Sequence, residues 1–242
     1  MRPLSANDLL EVWEVGQDRH PLDRALTLLG AACPELAAHE LAGLSVGARD
    51  ARLLTLRERT FGPRLAGFVE CPRCSEGLEF EAAVADLRAA PPPGEESWEL
   101  AVGDLSLRFR LPDSRDLGAA ATCPDPAAAR RLLVRRCVLH ASRSGEPVAG
   151  DDLPPEAITA LAQQMVERDP QAEILLDFSC PACEHDWQAL FDIVTFFWSE
   201  LAARADRLLG EVHALALAYG WREVDILGMS PHRRRFYLGM VT

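Results

Sequence analysis

Two Cys-x-x-Cys pairs, formed by Cys71 with Cys74 and by Cys180 with Cys183, constrain the fold of this chain most strongly. Two thiolates at this spacing chelate one ion when a tight turn points both sulfurs inward, and zinc prefers four such ligands in a tetrahedron. Each pair has proline as its second residue and lies between two segments with the alternating pattern of β-strands. The sequence therefore predicts two hairpin knuckles that face each other across one zinc ion.

Residues 75–179 separate the two pairs, which is an unusual insertion for a zinc-ribbon-like site. Because the entropic cost of closing a loop grows only slowly with its length, an intervening folded module does not forbid a shared ion. Four thiolates leave no open coordination position for water or substrate. We therefore expect the zinc, one ion per chain, to be structural rather than catalytic.

The sequence leaves other uses of the cysteines open. A thioredoxin-like redox motif has one such pair at a helix N-terminus, an iron–sulfur cluster would use the same four ligands, and two disulfides would require an oxidising compartment. His185 is an alternative ligand beside the second pair. Cys33, Cys123 and Cys137 have no partner in the sequence pattern and are expected to be small buried side chains.

Hydrophobic periodicity indicates an α+β fold that is mainly helical. In it the two knuckle hairpins form a zinc-ribbon-like unit, and a module made of a hairpin and helices is inserted between them. The predicted regions are an N-terminal helical region (1–64), the split zinc-ribbon-like unit (65–88 and 172–193), the inserted α/β module (89–171) and a C-terminal helical region (194–242).

Individual elements follow from the same patterns. Helices are predicted over Leu9–Val15, Leu22–Ala32, Val46–Phe61, Pro126–Ala141 and Pro154–Glu167, and the last fifty residues are expected to be helical again. Strands are predicted over Leu65–Glu70, Leu78–Ala83, Trp98–Val102, Leu105–Leu111, Ile174–Ser179 and Trp187–Phe191. Ala89–Glu96, with three consecutive prolines, is expected to be a stiff surface connection.

Charge limits the classes of partner. The chain has 37 acidic and 25 basic residues, for a net charge of −12, and every basic residue is an arginine. Duplex DNA and anionic membranes repel such a surface, and the absence of lysine excludes lysine-based chemistry. The residues beside the knuckles are mostly acidic: Glu70, Glu76, Glu79, Glu81, Asp177, Glu184 and Asp186.

The chain shows no signal peptide and no run of 18 apolar residues, so the sequence predicts a cytoplasmic protein without a membrane span. The sequence contains no Gly-x-Ser-x-Gly motif, no glycine-rich phosphate loop and no His-Glu-x-x-His motif. The histidines are scattered. We therefore expect a protein that is not an enzyme and has no catalytic residues.

Two arginine groups are candidate partner surfaces. Arg49, Arg52 and Arg59 share one face of a predicted helix, which is either a solvated face or a docking stripe for an acidic partner. The C-terminal region combines two aromatic residues with three consecutive arginines: Tyr219, Trp221, Arg233, Arg234 and Arg235. There the aromatic residues either fill the core beside exposed arginines or join them in an interface with another protein.

Several segments together resemble a known family. They are Trp13-Glu-x-Gly16, Gly47-x-Arg-Asp50, Leu53-Leu-x-Leu-Arg57, Thr60-Phe-Gly62, Leu111-Pro-x-Ser-Arg-Asp-Leu117, Phe191-Asp-Ile193, Leu215-Ala-x-Ala-Tyr-Gly-Trp221, Ile226-Leu-x-Met-Ser-x-x-Arg-Arg and Tyr237-Leu. The chain is similar to the baseplate proteins of T-even-type contractile phages, in the form found with bacterial contractile injection systems. The resemblance is strongest from Leu53 to Cys74 and from Cys180 onward.

The resemblance implies a non-enzymatic role in building the baseplate hub, as a structural component or an assembly chaperone. Its partners would be other baseplate or hub proteins, and the chain would act in the cytoplasm or within a phage-tail-like particle. The zinc expectation comes from the four cysteines of this chain and not from the family. The alternative function is a zinc-ribbon adaptor that binds nucleic acid or the transcription machinery, although the acidic knuckle flanks disfavour nucleic acid.

Overall fold

The computed structural model describes residues 1–90 and 96–241. It confirms the predicted α+β class, with helices as the larger part and small antiparallel hairpins. The chain forms two compact units. Unit 1 comprises Met1–Leu36, Leu53–Gly62 and Asp192–Thr242, and unit 2 comprises Ala37–Arg52 and Pro63–Phe191. The finer division into four regions stays a prediction.

Groups of helices and groups of strands follow one another along the described chain. The α-helices are α1 (Ala6–Gly16), α2 (Pro21–Ala32), α3 (Ala38–Ala42), α4 (Val46–Phe61), α5 (Ser114–Ala121), α6 (Pro126–Cys137), α7 (Pro155–Arg168), α8 (Ile193–Tyr219), α9 (Glu223–Leu227) and α10 (Pro231–Leu238). The strands are β1 (Arg64–Glu70), β2 (Gly77–Ala83), β3 (Trp98–Val102), β4 (Leu105–Phe109), β5 (Val138–Arg143), β6 (Glu146–Pro147), β7 (Leu175–Ser179) and β8 (Asp186–Leu190). Short 3₁₀ helices cover Val84–Leu87, Gly150–Asp152 and Pro170–Ala172.

Unit 1 is helical and packs around α8. A capping box begins α1, because the Ser5 side chain accepts from the Asp8 N–H while the Asp8 carboxylate accepts from the Ser5 N–H. Helix α1 approaches α8 closely at Gly16, where a Cβ atom would lie 2.3 Å from the Trp198 ring. The Arg24 guanidinium stacks over that ring at 4.4 Å from its centroid and donates to the Gly16 carbonyl. The glycine of the Trp13-Glu-x-Gly16 motif thus permits this close contact.

Unit 2 contains a four-stranded antiparallel sheet in the order β3-β4-β5-β6 and two separate two-stranded hairpins, β1-β2 and β7-β8. One face of the larger sheet packs with residues of α6 and α7 into an apolar core. The core comprises Trp98, Leu105, Leu107, Phe109, Leu111, Val134, Ala141, Leu153, Ala157 and Leu161. The hairpin predicted around Gly103-Asp104 is confirmed, with β4 ending at Phe109.

The predicted helix over Pro126–Ala141 is too long. Helix α6 ends at Cys137, and the chain continues directly as β5, which pairs with β4 from Val138 to Arg143. The residue that follows the helix, Val138, already has extended backbone angles. A β-branched residue favours this conformation, and pairing with β4 supplies hydrogen bonds that a longer helix would leave unmade.

The arginine stripe predicted on α4 is solvated at one of its three positions, since Arg59 is exposed whereas Arg49 and Arg52 are not. Arg49 is buried, and its guanidinium donates to Asp50 at 2.7 Å and to the Ser114 hydroxyl at 3.4 Å. Arg52 is half-buried and donates to the backbone carbonyl of Ala48. Arg49 therefore joins α4 to Ser114 at the start of α5, and Arg52 bonds within α4.

The three consecutive arginines near the C-terminus also differ in environment. Arg234 is only 1% exposed, and its Nε atom donates to Glu211 at 2.8 Å while Nη1 donates to the Met229 carbonyl at 2.6 Å. The expectation of three exposed arginines is therefore wrong for Arg234, while Arg233 and Arg235 are exposed. Helical periodicity places the middle of three neighbouring residues on a different face, which here packs against α8.

The aromatic residues of this region contact one another. Tyr219 and Trp221 stack with ring centroids 4.5 Å apart, and Tyr237 of α10 meets Trp221 edge to face at 4.8 Å. Between them Gly220 ends α8 in the left-handed conformation, with φ of 67°. All three rings are half-buried, so they join α8 to α10 within unit 1.

The predicted stiff connection at Ala89–Glu96 lies mostly outside the described residues. Among them, no helix has the length and apolarity that crossing a membrane requires.

Replacement of Arg234 by alanine is expected to lower the free energy of unfolding by about 3 kcal/mol, because Glu211 would keep a largely buried carboxylate without its cation. The control Arg235→Ala, at the exposed neighbouring position, should change it by about 0.5 kcal/mol or less. Urea denaturation of the full-length variants measures both. Equal losses for the two variants would contradict the assignment of Arg234 as the buried partner.

Candidate metal centre

The two cysteine pairs lie in hairpin turns with the same local structure. In the first turn, between β1 and β2, the Cys71 N–H donates to the Glu76 carbonyl and the Ser75 N–H donates to the Cys71 carbonyl, both at 2.9 Å. In the second turn, between β7 and β8, Cys180 and Glu184 make the equivalent bonds, again at 2.9 Å. The sequence expectation of two matched strand–turn–strand knuckles agrees with this geometry.

Each knuckle places one residue in the left-handed backbone region. Ser75 has φ of 61° and Glu184 has φ of 55°, and each follows the second cysteine of its pair directly. This conformation costs a non-glycine residue free energy, so it persists only where the surrounding turn requires it. Here it reverses the chain tightly enough to direct both sulfurs of a pair to the same side.

The four sulfurs form one cluster, although the pairs are far apart in sequence. The Sγ atoms of Cys71, Cys74, Cys180 and Cys183 all lie within 4.8 Å of one another. Cys71 is 3.7 Å from Cys183, and Cys74 is 3.5 Å from Cys180. A tetrahedron with Zn–S bonds of about 2.3 Å has S···S edges of about 3.8 Å. The cross-hairpin distances therefore match the spacing that a tetrahedral thiolate site needs.

Burial within the cluster is uneven. The first cysteine of each pair, Cys71 and Cys180, is 1% exposed, whereas Cys74 is exposed and Cys183 is half-buried. An ion held by the four sulfurs would thus be covered by protein on one side and reachable by a chelator on the other.

Local hydrogen bonding makes the thiols unequal. Burial opposes ionisation of Cys71, but the backbone N–H groups of Arg73 and Cys74 outweigh it and lower the pKa of Cys71 to about 7. For Cys74, the Glu76 N–H favours the thiolate, but the other three sulfurs and burial together raise its pKa to about 12. The two pKa values differ because backbone N–H groups stabilise the Cys71 thiolate, whereas the neighbouring sulfurs and burial disfavour the thiolate of Cys74.

Aromatic side chains line the space between the two hairpins. Phe80 of β2 meets Phe178 of β7 edge to face at 5.4 Å, and Phe178 stacks on Trp187 of β8 at 5.5 Å. His185, which the sequence offered as an alternative ligand, stacks on Trp187 at 6.0 Å and does not belong to the four-sulfur group. The aromatic contacts support the hairpin pair beneath the sulfurs.

The other three cysteines lie apart from this group. Cys33 and Cys137 are buried, as expected of small packed side chains. Cys123 is half-buried, so it meets this expectation only in part. Burial, reinforced by the nearby Asp116 carboxylate, raises the pKa of Cys137 to about 12. Cys137 is therefore a neutral, inert thiol.

Sequence reasoning did not identify the partner of the Gly47 motif. The Gly47 N–H at the start of α4 donates to Asp169 Oδ2 at 2.8 Å, and a Cβ atom at Gly47 would lie 2.1 Å from Asp169 Oδ1. Asp169 is 2% exposed, and burial raises its pKa. Nothing in the local sequence around Asp169 signals this role, because the two residues meet only in the folded unit.

The Leu111-Pro-x-Ser-Arg-Asp-Leu117 motif forms a second internal anchor. Asp113 caps α5, and the fully buried Asp116 accepts from Arg110 at 2.6 Å and from Arg136 at 2.7 Å. Burial opposes ionisation of Asp116, but the two guanidinium groups outweigh it and hold its pKa below the usual range. A capping pattern of two aspartates three residues apart is the sequence signal that could have located this cap.

The described chain is thus an α+β protein in which two cysteine knuckles bring four sulfurs together, and its motif residues brace the fold. It belongs to a family of phage baseplate proteins, since the family model described as "T4 bacteriophage base plate protein" matches residues 5–198. This match confirms the resemblance inferred from the sequence motifs. No curated protein and no solved structure matches the chain.

Proposed function

We propose that this protein is a non-enzymatic structural or assembly component of the baseplate of a phage-tail-like contractile injection system, acting in assembly of the baseplate hub. The observation that carries the proposal is the baseplate family match over residues 5–198. The structural roles of the family-like motif residues support it, since Gly16, Gly47 and Asp116 each occupy a packing or capping position. The partners are other baseplate or hub proteins, met in the cytoplasm where the particle is built.

The second part of the proposal is one structural zinc ion per chain, held by Cys71, Cys74, Cys180 and Cys183. Support comes from the S···S distances of 3.5 and 3.7 Å across the hairpins and from the matched turns. Thiolate ligands favour zinc over the hard cations Mg²⁺ and Ca²⁺, and a tetrahedral set of four sulfurs is typical of structural zinc. When bound, zinc supplies four coordinate bonds between two distant chain segments, and a closed shell leaves no position for a substrate.

A zinc ion bound there would join the two ends of the segment from Ser75 to Ser179. The β1-β2 and β7-β8 hairpins share the sulfur cluster and the contact between Phe80 and Phe178. Both hairpins are two-stranded, and an isolated two-stranded hairpin is marginally stable in water. The ion would therefore contribute most of the free energy that holds the hairpin pair together.

The alternative, a zinc-ribbon adaptor for nucleic acid, has less support. Seven exposed carboxylates lie on the two hairpins, at Glu70, Glu76, Glu79, Glu81, Asp177, Glu184 and Asp186. A nucleic-acid ribbon needs basic and aromatic residues at these positions, because the phosphate backbone dominates affinity.

Purified protein is expected to contain one zinc ion per chain by elemental analysis, and Cys180→Ser should lose most of it. Because zinc binding is coupled to folding of its ligand segments, the variant and the chelated wild type should both melt at clearly lower temperatures. Limited proteolysis should then cleave between Ser75 and Ser179 more readily. The matched control Cys123→Ser, outside the sulfur group, should keep zinc and melting temperature.

Retention of zinc by Cys180→Ser, or a melting temperature that neither chelation nor this mutation changes, would contradict a structural four-thiolate site.

The baseplate role is tested by removing the protein from a cell that produces the particle. Electron microscopy of the lysate is expected to show no complete contractile particles, with wild-type protein supplied from a plasmid restoring them. Contractile particles that form in normal number without the protein would overturn the proposed role.

A further inference from the structure

The hairpin β7-β8 presents one face away from the aromatic residues that pack between the hairpins. Alternation along the strands places Phe178 and Trp187 on the half-buried face. The opposite face is exposed and consists of Leu175, Asp177, Ser179, Asp186, Gln188 and Leu190, which we name the outer face. A shallow depression of about 410 Å³ at this hairpin is lined by outer-face residues together with Phe178 and Trp187: Asp177, Phe178, Ser179, Asp186, Trp187 and Gln188.

One end of the outer face is apolar. Leu175 and Leu190 are directly opposite each other in the strand register and are 46% and 63% exposed. A cross-strand pair of large aliphatic side chains normally gains stability from burial on at least one side. Here the pair lacks cover from the described residues of its own unit, so another molecule would gain free energy by covering it.

The other end of the outer face is acidic. Asp177 and Asp186 lie on neighbouring strands, diagonal to each other, and Glu184 lies in the adjoining turn. Residues 174–191 contain these three carboxylates and no arginine or lysine. Gln188 donates to Asp177 at 2.8 Å, and no cation of the described chain forms an ion pair with Asp177 or Asp186. The outer face therefore carries negative charge that an external cation would complement.

The backbone of the hairpin offers a third feature. Among residues 1–90 and 96–241, neither β7 nor β8 pairs with a third strand, so each has a row of backbone groups without a strand partner. Such an edge accepts an extended chain by strand addition, in which backbone hydrogen bonds provide affinity and alternate side chains provide specificity.

We propose that β7-β8 binds an extended, arginine-bearing segment of another protein, which adds to the hairpin edge with arginine over Asp177 and Asp186 and an aliphatic side chain over Leu175 and Leu190. Arginine fits better than lysine, because its planar guanidinium can bridge carboxylates with two hydrogen bonds. Nucleic acid is repelled by the same carboxylates. The inference rests on the proposed function, since it names the surface through which a baseplate partner would dock.

The first test uses a fluorescein-labelled eight-residue peptide, Thr-Arg-Thr-Val repeated twice, titrated with the purified full-length protein. Arginine and valine two positions apart lie on the same face of an added strand, as Leu175 and Asp177 do on β7. Fluorescence anisotropy should show saturable binding that weakens as salt rises. The double variant Asp177→Asn with Asp186→Asn should weaken binding by about tenfold, which corresponds to about 1.4 kcal/mol. The matched control Asp18→Asn with Asp206→Asn makes the same change of net charge at two exposed positions of unit 1 and should change affinity less than twofold.

Two further peptides separate strand addition from general charge attraction. The same peptide with proline at its two central positions keeps both arginines but cannot pair along an edge, so it should not bind comparably. A glutamate–valine peptide should not bind. Hydrogen exchange on the wild-type complex should show added protection of amides within Leu175–Ser179 or Asp186–Leu190.

Equal weakening by both double variants, equal binding of the proline peptide, or no saturable binding would overturn the inference. Concentration-dependent dimerisation that the arginine–valine peptide fails to inhibit would also overturn it, in favour of a second copy as the occupant. None of these outcomes depends on particle assembly, so a failure here is distinguishable from a failure of the baseplate role.

Discussion

The meeting of four sulfurs is the contact that joins the two hairpins of unit 2, β1-β2 and β7-β8. Cys71 and Cys74 are separated from Cys180 and Cys183 by most of that unit, yet the sulfurs lie within 4.8 Å of one another. Neither hairpin has a third strand or a large apolar core of its own among the described residues. A metal ion is the simplest partner that makes such a cluster favourable, because it binds thiolates that would otherwise repel one another.

The rest of unit 2 is braced by buried ion pairs and hydrogen bonds. Asp116 joins Arg110 to Arg136, and Asp169 accepts from the first turn of α4. The Asp169 contact joins residues that are 122 positions apart. Gly47 and Asp116 belong to the sequence motifs on which the resemblance to the baseplate family rests.

Local patterns predicted much of this architecture. The extent of α4 and both cysteine knuckles could be predicted from the sequence, because each depends on neighbours along the chain. The sulfur cluster could be predicted as well, since only two matched cysteine pairs exist and a thiolate site needs four ligands.

Features that depend on tertiary contacts could not be predicted from the sequence. The sequence after Cys137 has helical periodicity, but the segment forms strand β5 because it can pair there with β4. Arg49 and Arg234 looked like solvent-facing charges, but each finds a carboxylate in the folded unit. The match of Gly47 with Asp169 has no local signature at all, since it joins residues that are 122 positions apart.

X-ray absorption at the zinc edge of the purified, full-length protein tests the central claim most directly. The account predicts a first shell of four sulfurs at about 2.3 Å and no nitrogen or oxygen ligand. A spectrum with nitrogen or oxygen ligands, or protein that carries no metal while retaining its folded hairpins, would contradict it.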